Sequence, residues 1–133
     1  MEMGFTGTQH GMTDRQRKSI IHILLTMRHE IGHVHHGDCI GADEKFDGIA
    51  ADLGIPRVIH PPNEPGKRAF CKGEVILPVL PYLERNRMIV ADTSELIVCP
   101  RTMEEEIRSG TWYTFRYAKA HNRTVMVVYP RND

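Results

Sequence analysis

The sequence predicts an α/β fold: a Rossmann-like three-layer sandwich in which helices cover both faces of a mostly parallel sheet. Short apolar runs of strand length alternate along the chain with longer stretches whose apolar residues recur at helical spacing. Glycine, proline or a capping residue separates most of these runs, and such alternation is typical of βαβ units in a parallel sheet. With 133 residues, we expect a single domain that spans residues 1–133.

Five strands and four helices follow from this alternation. Right-handed crossovers make 3-2-1-4-5 the simplest order for the five-stranded sheet. Strands 1 and 4 are then neighbours, and the turns after strands 1, 2 and 4 meet at the switch point where such sheets bind ligands. The predicted strands cover residues 3–8, 34–36, 57–60, 95–100 and 124–129, and the predicted helices cover residues 15–30, 42–53, 82–91 and 110–121.

Residues 61–81 form the longest predicted connection, and they are rich in proline. We expect an irregular segment with a turn of helix near residues 75–80. Long loops in compact α/β domains often act as lids over a site, and the alternative is an irregular connection with no role of its own.

The composition is that of an ordinary soluble globular chain, with 41% hydrophobic and 26% charged residues. Seventeen Lys and Arg residues balance seventeen Asp and Glu residues. A neutral chain lacks the basic footprint of proteins that hold long nucleic acids through phosphate contacts. Three irregularly spaced cysteines, no visible leader segment and no apolar run of ~18 residues predict a cytoplasmic protein that does not enter a membrane.

Three glycine-containing turns lie where predicted strands end and helices begin. Glycine lets the backbone approach a ligand closely, and a helix N-terminus offers free N–H groups with partial positive charge. The third turn is the best candidate for a phosphate seat, because its hydroxyl side chains can donate to phosphate oxygens. Neither a dinucleotide GxGxxG nor a P-loop is present. The candidate ligand residues of the three turns are Gly7, Thr8, Gly37, Gly41, Asp43, Ser109, Gly110 and Thr111.

Each turn also has a purely structural interpretation. The first can be an ordinary tight turn, and Ser109 can be a plain helix cap. Asp43 can accept a hydrogen bond from a ribose hydroxyl, or it can cap the second helix. Cys39 lies near a helix start, where a nucleophilic thiolate is favoured, and the alternative is a small buried residue in a tight turn.

Charged and histidine side chains are the other candidates for chemistry. Arg85 and Arg87 on the third helix can pair with a phosphate in a fork, or they can form a solvated helix face. Histidines are dense between His29 and His36, and such a set can bind zinc. No carboxylate or cysteine follows at a strong metal-ligand spacing. We therefore expect strand and surface histidines, no metal and no resident cofactor.

Taken together, these segments resemble the SLOG superfamily, the Rossmann-like group that includes the LOG phosphoribohydrolases and the DprA DNA-processing proteins. Residues 4–7 resemble the first glycine turn of the family, and residues 37–43 resemble its Gly-x-x-x-Gly-Ala-Asp element. Residues 85–87 are similar to the Arg-Asn-Arg segment of DprA-like members. Residues 109–111 are similar to the Ser-Gly-Thr/Ser helix start, and the resemblance covers almost the whole chain.

The resemblance implies a nucleotide or nucleotide-like ligand whose phosphate lies at the Gly110-Thr111 turn. In LOG enzymes, an Arg on the preceding helix and a Glu just after this turn carry cleavage of an N-glycosidic bond. Arg85 is the nearest match for that Arg, but residues 112–114 are Trp, Tyr and Thr where the Glu is expected. Glu84 or the glutamates of residues 104–106 are the carboxylates that could substitute, so Arg85 and Glu84 are the candidate catalytic residues.

We therefore expect a small binding module that takes up a nucleotide or nucleotide-derived molecule as a sensor. The alternative is an enzyme that cleaves the N-glycosidic bond of a nucleoside monophosphate. Single-stranded DNA binding, as in DprA, is a third hypothesis, against which the zero net charge argues. The family also implies a homodimer. The apolar stripe of residues 20–27 and the aromatic residues of 112–117 could form its surface, or both could belong to the core.

Overall fold

The computed structural model describes residues 1–132 and contains a six-stranded sheet in which every strand pairing is parallel. The strands are β1 (Glu2–Gly7), β2 (His33–His36), β3 (Arg57–Ile59), β4 (Val75–Ile76), β5 (Glu95–Cys99) and β6 (Thr124–Val127). The helices are α1 (Asp14–Met27), α2 (Ala42–Asp52), α3 (Tyr82–Asp92) and α4 (Gly110–Ala120), and short 3-10 turns cover Arg28–Glu30 and Pro65–Lys67. The predicted α/β, Rossmann-like three-layer sandwich is confirmed.

The strands lie in the order β4-β3-β2-β1-β5-β6. The predicted order of the five longer strands is therefore correct, and β1 and β5 are neighbours at the switch point. The predicted number of strands was wrong by one, because residues 75–76 pair with β3 as a short edge strand where we expected a turn of helix. Their β-branched side chains suit an extended backbone, and the Leu77 N–H donates to the Ile59 carbonyl at 2.9 Å.

Local sequence accounts for where the helices begin and end. Thr13 caps α1 through a capping box: its hydroxyl accepts the Gln16 N–H at 3.1 Å, and the Gln16 side-chain oxygen accepts the Thr13 N–H at 2.9 Å. Ser109 caps α4 by accepting the Trp112 N–H at 3.2 Å. Gly54 follows α2 with a φ of 70°, a conformation that suits glycine at a helix end.

Two apolar cores fill the sandwich, one on each face of the sheet. α1 and α2 cover one face, where the Phe5 and Phe46 rings stack with their centroids 4.1 Å apart. α3 and α4 cover the other face, around Ile89 and Leu96. The apolar stripes of the helices therefore pack against both faces of the sheet.

β2 carries histidines to both faces of the sheet. Side chains alternate along a strand, so His35 points to the α3 face whereas His36 points to the α2 face. His36 Nε2 lies 2.8 Å from Asp47 of α2, and His35 Nε2 lies 2.8 Å from Glu2 of β1. The dense histidine segment is thus divided by the sheet into two separate environments.

The two segments considered for a dimer surface contribute much of their apolar area to the core. Ile20 and Leu24 of α1 are fully buried, and Trp112 of α4 is buried with its indole N–H donating to Thr102 Oγ1 at 3.0 Å. The homodimer stays a prediction.

The three cysteines, Cys39, Cys71 and Cys99, are free thiols. Within residues 1–132, no helix combines the length and the apolar character that a membrane crossing requires.

The stacked pair in the α2 core makes a stability prediction. Phe46 is fully buried, so we expect Phe46→Ala to lower the free energy of unfolding by about 3–5 kcal/mol, because it removes apolar burial and leaves a cavity beside Phe5. Ile107→Ala is the control, because Ile107 is 91% exposed and its loss should change the value by less than about 0.5 kcal/mol. Urea denaturation measures both, and equal effects of the two variants would contradict the assigned core.

Candidate functional site

A cavity of about 510 Å³ opens where β1, β2 and β5 end, at the carboxyl edge of the sheet. Open parallel sheets bind ligands at this edge, beside the switch point between β1 and β5. The turns after these strands, α3 and the 61–81 loop form its walls. Eight of the predicted ligand residues line it: Gly7, Thr8, Gly37, Asp43, Arg85, Ser109, Gly110 and Thr111.

The N-terminus of α4 opens into the cavity with free donors. Ser109 accepts the Trp112 N–H on its hydroxyl and the Tyr113 N–H on its carbonyl, the latter at 2.8 Å. The N–H groups of Gly110 and Thr111 donate to no atom among residues 1–132. Free N–H groups at the positive end of a helix dipole favour an anion.

Tyr82, at the start of α3, packs its hydroxyl against Gly110. A Cβ at residue 110 would overlap that hydroxyl, so glycine is the residue that fits. The Tyr82 ring also covers the Arg85 guanidinium, 4.9 Å from the ring centroid, and burial raises the pKa of the Tyr82 hydroxyl. Sequence reasoning missed Tyr82, because an aromatic residue at a helix start carries no site signal by itself.

Close packing explains the glycines around the start of α2. A Cβ on Gly7 would lie 2.6 Å from the Ala42 Cβ, and a Cβ on Gly41 would overlap the backbone of Gln9. Gly41 also has a φ of 107°, which side-chain-bearing residues rarely adopt. Gly41 does not line the cavity, unlike the other predicted glycines, and it allows the turn after β1 to contact the turn after β2.

Arg85 lines the cavity with most of its donors already occupied. The side chain is 2% exposed, and Nη1 donates to the Gly37 carbonyl and, at 3.3 Å, to the His60 carbonyl. Nε donates to Asn86 Oδ1 at 2.7 Å, and both Nη atoms lie 3.6 Å from Cys39 Sγ. Arg85 therefore brings positive charge to the cavity wall. Most of its N–H donors are already used within the protein, so few remain for the predicted fork to a phosphate.

Asn86 carries a buried side-chain donor, Nδ2. The residue is 4% exposed, and its Oδ1 accepts from Arg85 Nε, which identifies Nδ2 as the other end of the amide. Nδ2 makes no hydrogen bond of ordinary geometry within the described part of the chain. Buried donors are nearly always satisfied, and a side-chain hydrogen bond from Asn86 acts to lower the pKa of Tyr82, so the Tyr82 hydroxyl is the group that Nδ2 approaches. Asn86 was absent from the predicted site residues, although the Arg-Asn-Arg segment contains it.

Asp43 is the buried carboxyl group of the cavity. Its Oδ2 accepts the Cys39 N–H at 3.2 Å, so the carboxylate stabilises the turn before α2. Burial raises the pKa of Asp43, although His36 and Arg85 act to lower it. A carboxyl group with a raised pKa in a cavity is a candidate for proton transfer. Burial, together with the Asp43 charge, also raises the pKa of the Cys39 thiol, which disfavours the thiolate that a nucleophile needs.

Asp38 holds the 61–81 loop against the cavity. It is fully buried, and its carboxylate accepts from Arg68 Nε and from the Cys71 N–H, both at 2.8 Å. Backbone hydrogen bonds also join the loop to the turn after β2. The loop brings Glu64 and Lys67 to the cavity wall. The loop is therefore a wall of the site, held in place by a carboxylate that the sequence did not single out.

Arg108 is a cation of the cavity wall that lacks a partner among residues 1–132. By contrast, two other cations of the wall are in ion pairs: Arg101 Nη2 lies 3.6 Å from Glu106 Oε2, and Lys67 Nζ lies 3.5 Å from Glu64 Oε2. Arg108 is exposed and lies two residues before the free N–H groups of α4. The Arg108 guanidinium, next to the backbone donors of α4, increases the positive potential at this end of the cavity.

The structure does not bring Glu84 and Arg87 to the cavity. Both are exposed, and Arg87 Nε donates to the Tyr113 hydroxyl at 2.9 Å on the outer surface. Two positions along a helix correspond to a rotation of about 200°, so Arg85 and Arg87 point to opposite sides of α3. Of the carboxylates considered as substitutes for the missing Glu, Glu106 lines the cavity.

Solved structures with the same arrangement of strands and helices belong to proteins with different ligands. The molybdenum cofactor binding protein from Rippkaea orientalis superposes with a TM-score of 0.72 at 17% identity, over 95% of this chain and 74% of its own. DprA from Streptococcus pneumoniae superposes with a TM-score of 0.67 at 18% identity, over 95% of this chain and 49% of its own. DprA from Helicobacter pylori, which binds single-stranded DNA, has a TM-score of 0.67 at 14% identity, over 96% of this chain and 64% of its own. The chain has an SLOG-type fold.

The SLOG-type fold confirms, at the level of backbone architecture, the resemblance that the glycine turns predicted. The chain spans about half the length of the Streptococcus DprA. No protein-family model matches the sequence, and no curated protein matches it. At identities below 20%, these likenesses concern the fold, and the ligand has to be argued from the cavity itself.

The raised pKa of Asp43 predicts that the stability of the folded chain depends on pH. The folded chain binds the Asp43 proton more tightly than the unfolded chain, so stability falls as the pH rises from about 3.8 through the folded pKa. An asparagine amide in its place has no proton to lose and carries no charge at any of these pH values. We expect Asp43→Asn to be more stable than the wild type near neutral pH, with an advantage that disappears as the pH falls towards 3.8.

Denaturant titrations at several pH values measure this difference. Asp52→Asn is the control, since Asp52 is exposed at the end of α2 and should follow the wild type. A stability difference between Asp43→Asn and the wild type that does not change with pH would contradict the assignment.

Proposed function

We propose that this protein binds a phosphorylated, nucleotide-like small molecule in the cavity at the carboxyl edge of the sheet. The observation that carries the proposal is a set of donors at the cavity that have no acceptor among residues 1–132. They are the N–H groups of Gly110 and Thr111 and the Arg108 guanidinium. A phosphate group supplies several strong acceptor oxygens and a negative charge, which suits a helix N-terminus beside an arginine.

The rest of the cavity supports a ligand larger than phosphate. Its volume of about 510 Å³ lies within the ~300–1,000 Å³ of typical small-molecule sites. Tyr82 contributes aromatic surface against which a planar ring can lie, and the Asp43 carboxylate can accept from a ribose hydroxyl. A phosphate, a hydroxyl-bearing sugar and a flat ring are the parts of a nucleotide.

A binding module, acting as a sensor or a carrier, agrees best with the residues after the phosphate turn. Trp112 and Thr114 are buried and have structural partners: Thr114 Oγ1 donates to the Gly110 carbonyl at 2.9 Å. The glutamate that follows this turn in the LOG enzymes has no counterpart here. The turns suited to ligand binding are thus present, whereas the glutamate that would act in catalysis is not.

Isothermal titration with a panel of nucleoside mono- and diphosphates, extended to the molybdenum cofactor, tests the proposal. We expect at least one member to bind, and Arg108→Ala to weaken that binding about tenfold or more, because a charge-assisted hydrogen bond is lost. Arg17→Ala is the matched control, since Arg17 is an exposed arginine of α1 away from the cavity wall.

Absence of binding across the panel, or equal losses in the Arg108 and Arg17 variants, would contradict a phosphate site at α4. Steeply salt-dependent binding to an oligonucleotide, with no binding of mononucleotides, would favour single-stranded DNA as the ligand instead.

Cleavage of an N-glycosidic bond is the second candidate function, and the buried Asp43 carboxyl favours it. In that reaction the bond between the base and the ribosyl C1 breaks, water supplies the hydroxyl to C1, and the base takes up a proton. A carboxyl group with a raised pKa can supply that proton, and a carboxylate can activate the water. Asp43 takes this role in place of the predicted Glu84, which lies outside the cavity.

Chromatography after incubation with nucleoside monophosphates distinguishes the two functions. Binding alone returns the nucleotide intact, whereas cleavage yields free base and ribose phosphate. If base is released, we expect Asp43→Asn to reduce the rate at least about a hundredfold, as expected for loss of a general acid, and Glu84→Gln to leave it unchanged. Release that is indifferent to Asp43→Asn would exclude this residue as the acid.

A further inference from the structure

A second polar cluster lies on the α3 face of the sheet, outside the cavity. His35 of β2 and His60 after β3 are 5% and 3% exposed, and Asp92 is the last residue of α3. His35 Nδ1 and His60 Nε2 are 2.8 Å apart, and His60 Nε2 is 4.0 Å from Asp92 Oδ2. The three ligand atoms all lie within 4.8 Å of one another. None of the three residues lines the cavity.

Two of these separations differ by less than 1 Å from those between the ligands of one metal ion. Zinc binds imidazole nitrogen and carboxylate oxygen at about 2.0–2.2 Å, which places neighbouring ligands of a tetrahedron about 3.3 Å apart. To reach this spacing, His35 Nδ1 and His60 Nε2 have to move about 0.5 Å apart from the observed 2.8 Å. His60 Nε2 and Asp92 Oδ2 have to approach each other by about 0.7 Å from the observed 4.0 Å. Asp92 is partly exposed at a helix end, so its side chain can make that movement.

Glu2 orients His35 for this role. A carboxylate is an acceptor, so the 2.8 Å contact of Glu2 Oε1 with His35 Nε2 requires the hydrogen on Nε2. Nδ1 then presents its lone pair towards His60 and Asp92. Metal-binding histidines in proteins almost always donate their other N–H to a carboxylate or carbonyl in this way.

We propose that His35 Nδ1, His60 Nε2 and the Asp92 carboxylate bind one Zn²⁺ ion. Without metal, His60 Nε2–H donates to His35 Nδ1 at 2.8 Å, so metal binding replaces this hydrogen bond and the His60 hydrogen moves to Nδ1. Two imidazoles and one carboxylate form a donor set that suits zinc, and three protein ligands leave a fourth position for water or for another molecule. The ion joins the end of α3 to β2 and β3, so zinc should also raise the melting temperature of the chain.

The other cluster of similar composition, His36, Asp47 and Cys71, is a poorer site. The Asp38 N–H donates to His36 Nδ1 at 3.0 Å, so the ring hydrogen is on Nε2, which contacts Asp47 at 2.8 Å. A metal on Nε2 would leave His36 without a ring hydrogen, because Nδ1 is already an acceptor. Asp47 is also occupied by Arg57 at 2.8 Å. This second cluster provides an internal control.

Equilibrium dialysis against micromolar Zn²⁺, with metal analysis of the protein, tests the proposal. We expect one zinc per chain, and we expect Asp92→Asn to weaken binding at least about tenfold, since even residues that only support metal ligands contribute that much. Asp52→Asn is the matched control, because Asp52 is also an exposed last residue of a helix. Cys71→Ser tests the second cluster. Asp52→Asn and Cys71→Ser should both bind zinc as the wild type does.

Substitution with Co²⁺ gives a second measurement, because a tetrahedral site produces strong visible absorption that Asp92→Asn should weaken. The proposal is overturned if the wild type retains no zinc, if Asp92→Asn and Asp52→Asn bind equally well, or if Cys71→Ser alone removes the metal. Circular dichroism on the Asp92→Asn variant verifies that any loss of metal occurs in a folded chain.

Discussion

The hydrogen bonds of the buried Arg85 guanidinium are the interaction on which the candidate site depends. A charged group at 2% exposure is costly to bury unless its donors find acceptors, and the Gly37 and His60 carbonyls supply them. These carbonyls follow β2 and β3, so one side chain joins two strand ends to α3. The contact requires glycine at residue 37, since a Cβ there would overlap the guanidinium. It also positions the start of α3, where Tyr82 covers Arg85 and its hydroxyl reaches Gly110.

The walls of the cavity combine fully paired groups with groups that lack a partner. Asp38 is fully buried and uses both carboxylate oxygens to hold the 61–81 loop, so it contributes to a rigid wall. The N–H groups of Gly110 and Thr111 have no acceptor in the described chain, and Asp43 is buried at a cost that its raised pKa reflects. Groups that lower stability and face one cavity are typical of a binding site, where a ligand supplies the missing partner.

His60 connects this cavity with the histidine cluster on the α3 face. Its carbonyl accepts from Arg85, whereas its ring lies against His35 and Asp92. Burial, together with His35, His36 and Arg85, lowers the pKa of His60 to about 3, so the ring is neutral near physiological pH. A neutral ring is compatible with the buried guanidinium beside it.

The sequence by itself determined the strands, the helices and the strand order of the long strands, because apolar periodicity and turn residues act over a few neighbouring positions. It also located the glycine turn before α4, since a glycine at a helix start is a local signal. It failed at residues 75–76, where pairing with a distant strand outweighed the local preference. It also did not show that Glu84 and Arg87 lie outside the cavity, because their direction depends on how α3 packs. Only the tertiary structure decided that Asp43 is buried, that Arg108 has no partner among residues 1–132, and that His35, His60 and Asp92 meet. These properties arise from contacts between residues far apart in the chain, which no local pattern encodes.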